Sequence, residues 1–313
     1  MTAKHRLVNA AASVRDRLRN LARQEHVEFQ LVLSDFAIER LLYRLGVSEH
    51  ANRYVLKGAM LFKLWPERRH RATWDLDLHG RGSSAVTDVV EVIRSLCAID
   101  GGDGIVFDPA SAVGEEIRAG QEYDGVRVRL VAHLAEARIP VQVDVGFGDA
   151  ITPAPARTSY PTLLDHPPPK VLVYPREAVV AEKLEAMVSL GVTNSRMKDF
   201  YDVHVLASRF AFEGSTLAEA TRATFMRRRT PFPDAEPVVL SEGFLAAPER
   251  QTQWRAFLRR GRLDAPLDTI ELAAALRRFL APVLAAAAGN ESLALNWPAG
   301  GPWSQRESTE DSA

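Results

Sequence analysis

The sequence predicts an α+β fold: a mixed sheet flanked by helices, followed by a helical domain. Three observations carry this. Strand-period alternation marks residues 73–79 and 126–147, helical patterns recur between residues 176 and 287, and six prolines interrupt the chain at 151–170. Residues 1–165 are expected to form the sheet-bearing domain with N-terminal helices, and 170–289 a helical C-terminal domain. Residues 290–313, polar and net acidic, read as a disordered tail.

Each element has its own signal. Val14, Leu18 and Leu21 give a basic helix within residues 1–25 one apolar face. Leu31, Phe36, Ile38, Leu41, Leu42 and Leu45 do the same for 29–45, with Gly46 placed to stop the helix. Residues 54–65 read as a short apolar run, a glycine at position 58 and a helix of about two turns halted by Pro66. A basic link at 67–71 comes next, a solvated turn that could meet phosphates. Val86, Val89, Val90, Ile93 and Leu96 line a helix over 85–99, and 105–107 is a strand. Residues 108–124 carry no clear pattern, whereas 126–134 and 139–147 read as an antiparallel pair. Helices are expected at 176–190, ended by Gly191, and then at 194–206, 216–228, 249–260 and 269–287. The basic runs at 227–229 and 259–262 read as solvated faces, with an RNA-binding surface as the sharper alternative.

Composition narrows the classes. The 313 residues are 46% hydrophobic and 25% charged, enough for a real core. With 39 basic against 40 acidic residues, a nucleic-acid partner would need a local patch rather than a whole-molecule field. The single cysteine, Cys97, lies in an apolar run and reads as core; it excludes an intrachain disulfide or a cysteine zinc cluster and fits a reducing cytoplasm. The charged N-terminus does not resemble a signal peptide, and no apolar run reads as long enough to span a bilayer. A cytoplasmic protein without a membrane partner is expected.

The chemistry gathers on the strands. In 73–79, Trp74, Leu76 and Leu78 point one way and leave Asp75, Asp77 and His79 on the other face. An Asp-x-Asp pair alone is a common solvated edge. Here the apolar face is the buried one, and two like charges side by side cost free energy unless a cation sits between them. Gly58, opening a helix beside them, adds a place for phosphates. Along 139–147, Val141, Val143, Val145 and Phe147 share one face, while Gln142 and Asp144 share the other, making Asp144 the third candidate carboxylate. Asp199 and Asp202 are i, i+3 neighbours, and Lys198 and Asp202 are i, i+4, so the three share a helix face. Taken alone, that spacing reads as a surface ion-pair ladder.

Four stretches taken together resemble the AbiEii/AbiGii nucleotidyltransferase toxins, a branch of the DNA polymerase beta-like nucleotidyltransferase superfamily. Leu56-Lys-Gly-Ala-Met-Leu-Phe-Lys-Leu-Trp65 is similar to the family's glycine-containing first motif and Asp75-Leu-Asp77 to its second. Ala181-Glu-Lys-Leu-Glu-Ala186 resembles the third, built around a lysine, and Arg196-Met-Lys-Asp-Phe-Tyr-Asp202 the fourth. The resemblance implies a nucleotidyltransferase-type sheet and in-line attack by a hydroxyl on the alpha-phosphate of a nucleoside triphosphate, releasing pyrophosphate. It implies two Mg²⁺ ions (Mn²⁺ as a substitute) about 3.5–4 Å apart, held by Asp75, Asp77 and Asp144, with Asp144 also able to take the proton of the attacking hydroxyl. Lys183 would neutralise the triphosphate, Asp199 and Asp202 would position Lys183, the ribose or the base, and Lys57, Gly58, Ala59 and Lys198 would line the nucleotide site. The implied acceptor is RNA, notably the 3′ end of tRNA. The implied partner is a cognate antitoxin, in a toxin–antitoxin system of the phage-defence kind. Where the superfamily follows its glycine with a serine or threonine, Ala59 and Met60 stand here, which leaves the phosphates to backbone N–H groups.

Other readings share some of these residues. A haloacid-dehalogenase-like phosphatase wants threonine or valine where His79 stands, and a metal-dependent glycosyltransferase wants a sugar-nucleotide half where residues 1–53 look helical. A catalytically degenerate protein that binds a nucleotide or partner, and the same fold acting on a protein or small-molecule hydroxyl, remain as alternatives.

Overall fold

The alternating stretches become strands of one mixed sheet. The computed structural model describes residues 3–65, 73–118, 124–263 and 268–305, so the basic link at 67–71 and residues 306–313 of the expected tail lie outside the described residues. Two compact units result, Met1–Gly148 with Pro155–Tyr174, and Asp149–Ala154 with Pro175–Ala313.

The first unit contains helices α1 (Ala3–Gln24), α2 (Phe29–Val47) and α3 (Val86–Cys97). Its strands are β1 (Tyr54–Lys57), β2 (Asp75–Gly80), β3 (Ile105–Arg118), β4 (Asp124–Leu134), β5 (Ala137–Phe147), β6 (Ala156–Ser159) and β7 (Lys170–Val173). Their order is β3-β4-β5-β2-β1-β7-β6, parallel where β5 meets β2 and β1 meets β7, and antiparallel elsewhere. A parallel β2–β5 pairing needs a crossover, which α3 and the β3–β4 pair supply. The proline-rich stretch is therefore no plain linker, since β6 within it closes the sheet edge against β7. Residues 108–118, without pattern in the sequence, continue β3, and a register shift between Asp108 and Val113 explains the lost alternation.

Helix α2 packs on β5 and β7, and α3 on β3 and β4. The covered side is apolar, with Leu76, Leu78, Val141, Val143 and Val145 all buried. Gly46 does not stop α2, which runs on to Val47. A Cβ at position 46 would lie 2.7 Å from the Lys170 carbonyl oxygen, so this glycine lets the helix approach β7. Beneath α2, Asp103 accepts hydrogen bonds from Arg40 Nε at 2.8 Å and from both Arg44 terminal nitrogens at 2.7 and 3.0 Å. Burial pushes the Asp103 carboxyl up, but the bonds and charges of Arg44 and Arg40 outweigh it and hold it below the usual range. Cys97 is half-buried, and its thiol is pushed up to about 11 chiefly by burial, as suits a packing role.

The second unit contains α4 (Arg176–Leu190), α5 (Met197–Arg209), α6 (Gly214–Arg227), α7 (Glu242–Ala246), α8 (Pro248–Gly261) and α9 (Thr269–Gly289), with strands β8 (Phe212–Glu213), β9 (Leu295–Trp297) and β10 (Ser304–Gln305). Gly191, at φ 50°, caps α4 as expected. The expected disordered tail is corrected over its first part: β9 pairs with both β8 and β10. Trp297 and Trp303 anchor it, their indole N–H groups donating to Ala207 O at 2.7 Å and Phe279 O at 3.0 Å. A buried Trp297 and a half-buried Trp303 outweigh the polar composition of that stretch.

The reading that no segment is long enough to span a bilayer is also corrected. By length and composition, the 21-residue α9, hydropathy 1.4, could cross one. About half of its apolar stretch is buried inside the protein, with Leu272, Leu276, Phe279, Leu280 and Val283 packed as a core stripe against α5, α6 and α7.

Candidate active site

In the first unit the strand registers align one charged row across five strands. Lys57 on β1 faces Asp77 on β2, Asp77 pairs with Asp144 on β5, Asp144 with Arg127 on β4, and Arg127 with Glu115 on β3. Neighbouring strands lie about 4.8 Å apart, so the two aspartates stand side by side with a cation flanking each. One step along, Asp75 pairs with Gln142. Asp75, Asp77, Asp144 and Gln142 are all partly exposed, whereas Leu76, Leu78, Val143 and Val145 beside them are buried. Two of the sequence expectations for this face are corrected. His79 is buried against Tyr174, ring centroids 6.1 Å apart, rather than displayed with the aspartates. Trp74 precedes β2 and is 46% exposed.

Gly58 stands where the sheet comes closest to Asp77. Its φ is +75°, and a Cβ there would lie 2.7 Å from Asp77 Cβ and Cγ and closer still to Oδ2. This glycine opens a seven-residue 3₁₀ helix, Gly58–Leu64, of about the two turns expected. Ala59 and Met60 point into the core, and Met60 O accepts the Tyr160 hydroxyl at 3.3 Å. Lys57 Nζ sits 5.9 Å from the Tyr174 ring centroid.

Asp144 differs most from expectation. Arg127 clamps it with two bonds, Nε to Oδ1 at 2.8 Å and a terminal nitrogen to Oδ2 at 2.7 Å, and Gln142 adds a longer one at 3.4 Å. The bond to Asp144 raises the Arg127 pKa further, with Asp75 and Glu115 adding to it, so Arg127 is a fixed cation. Asp75 and Asp77 offer hard oxygen donors on one strand face, with glycine keeping the backbone clear of Asp77, and so suit Mg²⁺. Asp144 as it stands is taken by Arg127, and among the described residues no three His, Cys, Asp or Glu side chains form a ready metal cluster.

In the second unit a different cluster forms. Lys183, on α4, donates to Asp199 Oδ1 at 2.8 Å and Asp202 Oδ2 at 2.7 Å, both on α5. Arg196 adds an ion pair to Asp199 at 2.7 Å. The two carboxylates are 1% exposed, which rules out a solvated surface ladder. Burial alone would lower the Lys183 pKa; Asp202 and Asp199 overcome it and raise the value, so Lys183 is a held ammonium. Lys198 lies exposed in the first turn of α5.

Sequence reasoning missed Arg127 and Arg228. Arg127 and Arg129 alternate with buried valines on β4, the same signal that revealed Asp144. Arg228, taken as part of a solvated run, is a mostly buried hub: it pairs with Glu185 at 2.7 Å, Asp149 at 3.0 Å and Glu182 at 3.6 Å. Thr230 completes it by donating to Glu185 at 2.6 Å. The two glutamates flank Lys183 in sequence, so the hub braces the helix that carries the lysine.

Comparison with known proteins gives the class of this chain, a nucleotidyltransferase. Residues 40–281 match the family described as nucleotidyl transferase AbiEii toxin, type IV TA system. The chain belongs to that family, which brings with it a nucleoside triphosphate substrate and a cognate antitoxin. Two solved structures are similar: JHP933 from Helicobacter pylori (14% identity, TM-score 0.46, 84% of this chain and 94% of that one), and an H. pylori protein described provisionally as a nucleotidyltransferase (14%, 0.45, 84% and 97%). No curated protein matches the chain.

Proposed function

We propose that this toxin transfers a nucleoside monophosphate from a nucleoside triphosphate to a hydroxyl at the 3′ end of tRNA, in the cytoplasm, and that this transfer is what its antitoxin counters. The observation that supports the reading most is the register that sets Asp77 beside Asp144 with Asp75 one step away. Asp75 and Asp77 would hold Mg²⁺, which when bound neutralises phosphate charge. In the reaction the acceptor oxygen bonds to the alpha-phosphorus, the bond from that phosphorus to the bridging oxygen breaks, and pyrophosphate leaves. Asp144 is the group proposed to take the hydroxyl proton. Lys183, kept charged by two buried carboxylates, offsets negative charge on the leaving phosphates, and Lys57 and Gly58 border the phosphate site.

An RNA acceptor is supported by α8, which buries only Trp254. Arg255, Arg259, Arg260 and Arg262 are exposed there, and none has an acidic partner among the described residues.

The test is label transfer. Purified chain, total tRNA and Mg²⁺ are incubated with each alpha-labelled nucleoside triphosphate, beside a protein carrying Asp75→Ala and Asp77→Ala. Label on tRNA with the wild type alone is the expected result, and it names the nucleotide. Label on protein would move the acceptor. No label from a folded chain would favour a degenerate binder.

A further inference from the structure

A cavity of about 150 Å³ opens in the second unit, where α5 packs beside α9 and Trp297 of β9 adds a wall. Its existence follows from side-chain size: Ala207 on α5 and Ala275 on α9 leave a gap that a leucine would fill. The floor is apolar. Leu276 is 1% and Trp297 5% exposed, and the indole N–H of Trp297 already donates to Ala207 O at 2.7 Å, so that ring offers only carbon. Polar groups stand at the mouth: Ser208 and Arg278 are exposed, and the half-buried His204 ring lies 3.5 Å from the Ser208 hydroxyl. Burial lowers the His204 pKa, and Arg209 adds to that, so the ring is neutral at pH 7. Arg278 is then the one charge among the described lining residues. It forms no ion pair among the described residues, whereas its neighbour Arg277 is held by Glu236 at 2.9 Å.

The chemistry that fits such a cavity is narrow. None of the described lining residues is acidic, so it suits neither a metal ion nor an amine. A bare phosphate would leave the apolar floor unused and set its remaining oxygens against carbon. An apolar cavity of about 150 Å³ holds one benzene-sized body, so a nucleotide is too large. We propose that this cavity binds a small organic monocarboxylate, its carboxylate on Arg278 and Ser208 and its ring or branched chain against Leu276 and Trp297. The site is separate from the reaction above: neither the acidic face nor the Lys183 clamp lines it.

Calorimetric titration of the full chain with benzoate and with isovalerate tests this, beside fluorine resonance of protein carrying fluorinated tryptophan. At least one acid should bind saturably, one molecule per chain, and shift the resonance that Trp297→Phe removes. The matching uncharged amide should bind about tenfold or more weakly, and Arg278→Gln should weaken the acid as much, the loss expected for a charge-assisted hydrogen bond. Arg277→Gln, which removes the same charge one residue away, should leave binding unchanged. Ala275→Leu should abolish binding by filling the space, and Ala275→Val serves if the leucine variant fails to fold. Inorganic phosphate should not compete. No saturable binding of either acid to the folded wild type overturns the proposal. So does equal weakening by Arg277→Gln and Arg278→Gln, which would mark a diffuse surface field. Binding that survives in a folded Ala275→Leu protein, or that phosphate displaces, overturns it too.

Discussion

Gly58 is pressed against Asp77: a Cβ built on the glycine would lie 2.7 Å from the aspartate's Cβ and Cγ, at a backbone φ of +75°. The first motif of the chain thus shapes the second by absence of a side chain. Gly58→Ala must either displace Asp77 or shift β1, and it puts an L-residue in the left-handed region at roughly 1–2 kcal/mol. The expected outcome is a loss of about 100-fold or more in nucleotide transfer, since displacing a positioned group by an ångström costs on that order. Thermal melting should show only a modest drop. A Gly58→Ala protein with wild-type turnover would mean that the placement of Asp77 is not critical.

Lys183 holds two carboxylates that are each 1% exposed. Lys183→Met leaves them buried without their shared cation and is expected to cost about 3–5 kcal/mol in denaturant unfolding. Adding Asp199→Asn and Asp202→Asn should restore part of that stability and none of the activity. The pH dependence has a definite sign. The Lys183 pKa is raised from 10.5 in the folded protein, so its contribution is full below about pH 10.5 and is lost as pH climbs through the folded value. Wild type minus Lys183→Met should therefore be flat from neutral pH to about 10 and shrink above it.

Glu39 supplies the opposite case. It is 2% exposed, and burial raises its carboxyl from 4.5 to about 7 against a hydrogen bond from Leu163 N and the charge of Arg40. Arg40 is largely committed to Asp103, at 2.8 Å. A raised carboxyl means that the folded state binds the extra proton, so the contribution of Glu39 to stability is greatest below pH 4.5 and falls as pH rises to about 7, by about 3 kcal/mol. Glu39→Gln keeps an acceptor for Leu163 N and should remove that slope. Denaturant unfolding at pH 5 and pH 8 on both proteins measures it; parallel slopes would discard the assignment.

How far the sequence could be read depended on which force set each feature. Asp75, Asp77 and Asp144 were legible because a strand with one buried face must alternate, and the strands of the row pair in register. Lys183, Asp199 and Asp202 were legible as motifs, but their burial was not, because an i, i+3 spacing looks the same on a surface ladder as on a packed helix. Arg228 stayed hidden for a related reason: a charge run is usually solvated, and only tertiary pairing drew it out, whereas Arg127 shows the same strand alternation as Asp144 and takes its meaning from a partner on the next strand. Gly46 misled because a glycine that admits a neighbouring strand is indistinguishable in sequence from one that ends a helix. The tail misled because two tryptophans outweighed its polar composition.

The arginines of α8 lead to the last prediction. Arg255 and Arg259 are one helical turn apart, Arg262 lies just past the helix end, and all three are exposed on an element that buries Trp254 alone. Reversing them with Arg255→Glu, Arg259→Glu and Arg262→Glu should leave folding within about 1 kcal/mol, as surface changes do. If they lie along an RNA backbone, each contact contributes about 0.7–0.9 to the slope of log affinity against log salt. The triple variant should then bind tRNA more weakly at low salt, with a slope shallower by about 2–3. Weakening that is uniform across tRNA sequences would mark phosphate contacts, since these carry no base information. An unchanged slope would return α8 to an ordinary solvated helix, whose C-terminal arginines do no more than answer its dipole.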